Sequence, residues 1–131
     1  MENHNKILAG DWFKKAQDDE LSCEDILDDR RGAPSTVCFL SQQLAEKHLK
    51  GYLVYQGKQF PKIHQLDRLI KLCKETNATF EEVKEEAEYL TGFYVATRYP
   101  GDYPDFFWDD AEKAFESACR IKKFVLSKID I

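Results

Sequence analysis

No apolar run in the 131-residue chain approaches the roughly 18 residues of a membrane span. The opening MENHNKILAG also lacks the basic-then-apolar order of a secretory leader. A soluble, cytoplasmic protein with no membrane partner is therefore expected. Cysteine is sparse and scattered. Cys23, Cys38, Cys73 and Cys119 include no C-x-x-C pair, which removes the usual zinc and redox spacings and leaves buried free thiols as the expectation. His4, His48 and His64 are the only histidines, and no two stand at the H-E-x-x-H spacing. The chain has no glycine-rich phosphate loop, nucleophile elbow or paired-carboxylate motif, so it offers no complete catalytic set and implies no cofactor or metal. Sustained period-two alternation, internal repeats and low-complexity tracts are missing too, which leaves helix as the repeating element.

With 43% hydrophobic and 13% aromatic residues, the chain can bury a sizeable core, and its length fits one domain spanning 1–131. A net charge of −5 argues against general nucleic-acid binding by phosphate neutralisation, so RNA is not expected as a partner. The distribution of charge is more informative. Asp18, Asp19, Glu20, Glu24, Asp25, Asp28 and Asp29 form an acidic run without a base, read as a solvated helix face. From Lys47 to Lys74 seven bases stand against Asp67 alone, a stretch that is either plain surface or a means of steering an anionic ligand or acidic partner.

The apolar spacing predicts helices over most of the chain. The first runs from Ile7 to about Arg30, and the second starts at Ser35 or Thr36 and stops at Gly57. After the connection GKQFPKIHQL, a short helix is expected from about His64 to Glu75, with Leu66, Leu69, Ile70 and Cys73 on one side. Thr79 and Glu82 have capping-box spacing at the head of a fourth long helix carrying Val83, Ala87, Leu90, Tyr94 and Thr97. A last helix covers about Phe107 to Lys128. The pattern implies an all-α, up-and-down four-helix bundle with one additional short helix.

The least ordinary stretch is FYVATRYPGDYPDFFWDD, residues 93–110. Pro100 pushes Tyr99 out of the helical region, which places Arg98 in or just before the last turn of the fourth helix. A structural role would have Arg98 complement the helix dipole and pair with Asp102 or Asp105. A binding role would use the same guanidinium beside Tyr94, Tyr99 and the following aromatics to hold a purine and a phosphate. Residue chemistry leaves both open. On the second helix, Gln43, Glu46, Lys47 and Lys50 are read as neighbouring surface residues whose exposed Glu–Lys pairs contribute ~0.3–0.5 kcal/mol. His64 is read as bonding to local backbone at the start of the third helix, with a catalytic role as the rival.

Trp12 followed by Ala16, CFLSQQLAEKHLKGYLVYQG, FPKIHQLDRL and GFYVATRYPGD, taken together and in this order, resemble the HEPN domain family over nearly the whole chain. The resemblance implies a bundle of four long helices and a short one, usually homodimeric. It further implies a nucleotide- or substrate-binding subunit for a minimal nucleotidyltransferase in a two-component, toxin–antitoxin-like system. The candidate ligand-binding residues are Arg98, Tyr99, Tyr94, Lys47, His64 and Asp102, and no residue is assigned a catalytic role. Many HEPN proteins are metal-independent ribonucleases that use an arginine and, after four to six intervening residues, a histidine. Arg98 matches the arginine, but Tyr103, Pro104 and Asp105 stand where the histidine belongs, and none follows His64. A binding protein is accordingly expected, with a ribonuclease of non-standard site and a pure interaction module as rivals.

Overall fold

The computed structural model of the chain describes residues 2–97 and 105–130, with side chains from His4 onward. Helix α1 (Glu2–Asp29) and helix α2 (Pro34–Tyr55) are joined by the short connection 30–33. Phe13 stacks on His48, Asp19 pairs with Lys47, and Cys23 reaches Ser41 and Val37. One series rises as the other falls, so the two helices run antiparallel. Pro34 opens α2, where its missing N–H and fixed φ cost nothing. The expected start at Ser35 or Thr36 thus moves back to the proline.

Both ends of this hairpin are closed by identifiable chemistry. Arg30 leaves α1 with φ 55°, unusual for a residue with a side chain. Its guanidinium lies 5.4 Å from the Trp108 ring centre and pairs with Glu112, which ties the end of α1 to the last helix, α6 (Trp108–Ser127). At the end of α2, Gly57 adopts φ 72°. Its N–H donates to the Val54 carbonyl and that of Lys58 to the Leu53 carbonyl, both at 2.9 Å. That pair of bonds is a Schellman motif, and glycine enters its left-handed position without a Cβ penalty.

Helix α3 (Leu66–Lys74) buries Leu66, Leu69, Ile70 and Cys73, the side read from the sequence. The fourth rod differs from a single long helix. It begins as a 3-10 turn, Ala78–Val83, continues as α4 (Lys84–Thr91) and resumes after Gly92 as α5 (Phe93–Ala96). Asn77, not Thr79, caps it, accepting from the Thr79 N–H at 3.0 Å. At the break, Thr91 Oγ1 donates to the Ala87 carbonyl at 2.8 Å, and six residues on Thr97 Oγ1 donates to that of Phe93 at 2.6 Å. Such back-bonding competes with the helix ladder and bends it.

The described elements form an all-α, up-and-down bundle centred on α2, which touches α1, α3, α4, α5 and α6. Leu44, Leu49, Tyr52 and Leu53 of α2 meet Leu66, Leu69, Phe80, Leu90 and Ile121 in one fully buried cluster. Each such side chain contributes roughly 1.5–3 kcal/mol. Of the acidic run, Asp18, Glu24, Asp25, Asp28 and Asp29 face solvent, whereas Asp19 and Glu20 are half-buried and pair with Lys47 and Lys122. Among the described residues no helix is long and apolar enough to cross a membrane.

All four cysteines are free; Cys23, Cys38 and Cys73 are buried and Cys119 is half-buried. Burial pushes each of the first three thiols up to about 12 and raises that of Cys119 as well. The thiolate is the reactive form, and only Cys119 is reachable. Titration with an aromatic disulfide is expected to modify one thiol in the native protein and four after denaturation. Rapid reaction of two or more native thiols would contradict this packing.

Candidate functional site

Gln42, Glu46 and Lys50 repeat every four residues and so share one stripe of α2. Apolar residues fill most of the rest of the circumference, and the connection 56–65 lies over the stripe. The three polar residues are therefore enclosed, with Glu46 only 4% and Lys50 only 6% exposed. The expectation of a surface Glu–Lys pair gives way here to a buried one.

The Glu46 carboxylate gathers donors from both sides. Lys50 Nζ lies 2.9 Å from Oε2, and Gln42 Nε2 lies 3.1 Å from Oε1. His64 Nδ1 stands 3.0 and 3.1 Å from the two oxygens. A carboxylate accepts only, so Nδ1 carries the proton and donates to it. Gln42 Nε2 also donates to the His64 carbonyl at 2.7 Å, which fixes the backbone of the connection. The Lys50 ammonium sits 5.8 Å from the Trp12 ring centre and 5.7 Å from that of Phe60, and the two rings meet edge-on at 6.2 Å. Cation–π contact and the ion pair together offset the cost of removing this charge from water.

On its outer side the His64 imidazole stacks flat on Tyr94 of α5, with centroids 4.0 Å apart and planes 9° from parallel. Phe39 of α2 stands 6.0 Å from Tyr94. Beside the stack lies a cavity of about 270 Å³ lined by Lys62, Ile63, His64, Gln65, Thr91, Tyr94 and Val95. With Nδ1 held by Glu46, Nε2 is the ring nitrogen left to meet a ligand. The arrangement is an oriented imidazole on an aromatic shelf, backed by a buried carboxylate.

The structure brings His64 and Tyr94 together, but it replaces the expected backbone bond of His64 with Glu46 from α2. Lys47 is turned away. One residue beyond Glu46, it faces α1, where its Nζ lies 2.6 Å from Asp19 Oδ2. Burial raises the Asp19 carboxyl above its usual range, and the Lys47 ammonium only partly counters it. Lys50 does join the His64 side, through Glu46. Arg98, Tyr99 and Asp102 lie outside the described residues. Glu46 and Gln42 were not legible as site residues, although their four-residue spacing beside a crowded apolar helix was the available signal. Among the described residues no group of three His, Cys, Asp or Glu side chains could hold a metal ion.

Comparison with known proteins gives consistent relatives. The family model of the HEPN domain matches residues 9–129. The crystal structure of TT1696 from Thermus thermophilus superposes with a TM-score of 0.82 at 29% identity, covering 92% of this chain and 98% of that one. The crystal structure of ST0689, an archaeal HEPN homologue, superposes with a TM-score of 0.75 at 30% identity, covering 93% and 98%. No curated protein matches.

Proposed function

The chain belongs to the HEPN domain family, and on that basis we propose that it is a nucleotide-binding subunit acting as a homodimer beside a minimal nucleotidyltransferase. The observation that carries this reading is the flat His64–Tyr94 stack at the mouth of the 270 Å³ cavity. Stacked rings beside a cavity suit recognition of a base, and each base–aromatic stack is worth about 1–3 kcal/mol. Arg98 follows Tyr94 by four residues in sequence, and its planar fork of donors suits a phosphate. Lys62 lines the same cavity and adds a positive charge.

Calorimetric titration with ATP and AMP tests the reading. Tyr94→Ala is expected to weaken binding roughly ten-fold, and Arg98→Lys to weaken it while leaving the melting temperature nearly unchanged. Unchanged affinity in both variants would sink the nucleotide site. The dimer is tested by light scattering, where the 15.3 kDa monomer mass at micromolar concentration would count against it.

One observation favours a second reading. His64 has the geometry of a general base, with Glu46 holding Nδ1 and leaving Nε2 outward. A ribonuclease could use it to accept the ribose 2′-hydroxyl proton. The binding reading expects RNA to stay intact on incubation with purified protein. Cleavage that disappears in His64→Ala would transfer the assignment to an enzyme.

A further inference from the structure

Turning about 200° around α2 from Glu46 to His48 leads to the opposite side of the bundle. There α1 and α6 both pack on α2 while touching each other little, and they leave a cavity of about 380 Å³ between them. Gly10, Phe13, Lys14, Gln17 and Glu20 line it from α1, Lys122 and Leu126 from α6, and His48 from α2.

His48 is 2% exposed, and its Nδ1 lies 2.9 Å from the Leu44 carbonyl. A carbonyl only accepts, so Nδ1 carries the proton. Burial holds the imidazole below its usual pKa, which keeps the ring neutral and Nε2 a lone-pair acceptor. Among the described residues His48 has no hydrogen-bond partner besides Leu44, and no sealed side-chain nitrogen or oxygen lacks one. Nε2 must therefore be open, and the cavity is what it opens on.

The walls are built rather than left over. Phe13 stacks on His48 at 5.4 Å and 22°, and it can do so because Gly51 of α2 leaves room: a Cβ there would stand 2.5 Å from Phe13 Cε1. Gly10 also lines the cavity, and among the described residues nothing lies within 4 Å of where its Cβ would be. A glycine inside a helix costs roughly 0.5–1 kcal/mol relative to alanine, and no packing among the described residues accounts for it. Lys14 and Lys122 outnumber Glu20 at the rim, and Lys122 Nζ lies 2.7 Å from Glu20 Oε1.

We propose that this cavity is a second ligand site, taking a small planar hydroxy-aromatic acid. Its hydroxyl donates to His48 Nε2, its ring lies between Phe13 and Leu126, and its carboxylate meets Lys14 and Lys122. The site does not depend on the nucleotide reading, because it uses none of the residues around His64 and Tyr94.

The test is a nuclear magnetic resonance titration of the full chain with 4-hydroxybenzoate, with benzoate as the control lacking the donor. Saturable binding in the low-millimolar range is expected, with shifts confined to the α1–α6 cleft and the His48 ring, and benzoate about three- to ten-fold weaker. Gly10→Met raises helix propensity while filling the cavity, so it should fold and abolish binding. His48→Phe keeps a ring against Phe13 but removes the acceptor, and should equalise the two ligands. The proposal is overturned by absence of saturation at about 10 mM, by equal affinities in the unaltered protein, by shifts centred on His64, or by binding that survives Gly10→Met. If Gly10→Met instead converts a dimer to a monomer that binds no probe, a second copy of the chain occupies the cleft and the small-ligand assignment fails.

Discussion

Glu46→Ala is expected to destabilise the protein by about 3–5 kcal/mol, because it strands the Lys50 ammonium in an apolar setting. With the carboxylate gone, Lys50 keeps, among the described residues, the faces of Trp12 and Phe60, at 5.8 and 5.7 Å. The His64 ring loses its acceptor as well, while Gln42 keeps the His64 carbonyl. Replacing the whole pair behaves differently. Glu46→Leu with Lys50→Met removes both charges and should recover a large part of the loss, since desolvation of two ions no longer has to be offset. Urea titrations of Glu46→Leu, Lys50→Met and the double variant read this directly. Near-additive losses would mean that the pair is not the unit of stability at this position.

Phe80→Ala should cost about 3–5 kcal/mol and lower the melting temperature by about 10–20 °C. The ring is fully buried between Tyr52 of α2, at 4.5 Å, and Phe124 of α6, at 4.9 Å and nearly perpendicular. It enters from the 3-10 turn, so truncation opens a cavity where three elements meet. Val95, 44% exposed beside the candidate cleft, provides the contrast, and Val95→Ala should change stability by no more than about 0.5 kcal/mol. A drop below about 5 °C for Phe80→Ala would show that the turn can collapse into the vacated space.

The bundle was legible because its long helices carry apolar residues every three or four positions; α2 and α6 fall within two residues of that reading, whereas α1 starts at Glu2, five residues before the expected Ile7. The start of the fourth rod was not legible. Phe80, Val83, Ala87 and Leu90 alternate steps of three and four, a spacing that a 3-10 turn followed by an α-helix satisfies as well as one continuous helix. Asn77 and Thr79 are both good caps, and local sequence does not rank them. The candidate site was half visible. His64 and Tyr94 stood out singly, but their stacking depends on how a connection folds back over a helix, which periodicity does not encode. Glu46 and Lys50 were misplaced for a definite reason. A four-residue Glu–Lys spacing belongs to exposed helices far more often than to enclosed ones, and only the packing of five elements around α2 reverses that expectation.

The Lys50 ammonium over the Trp12 indole has an optical consequence. An indole excited state is sensitive to a nearby charge, and this charge is tied through Glu46 to the imidazole at the mouth of the candidate cleft. Any ligand that pulls on His64 will redistribute the field along that short relay and alter the emission of a side chain it never touches. The other tryptophan, Trp108, sits at the start of α6 under Arg30, so replacing it with phenylalanine leaves one indole. In that variant, Trp12 emission is expected to change when a ligand enters the candidate cleft, and unchanged emission at saturating ligand would count against the relay.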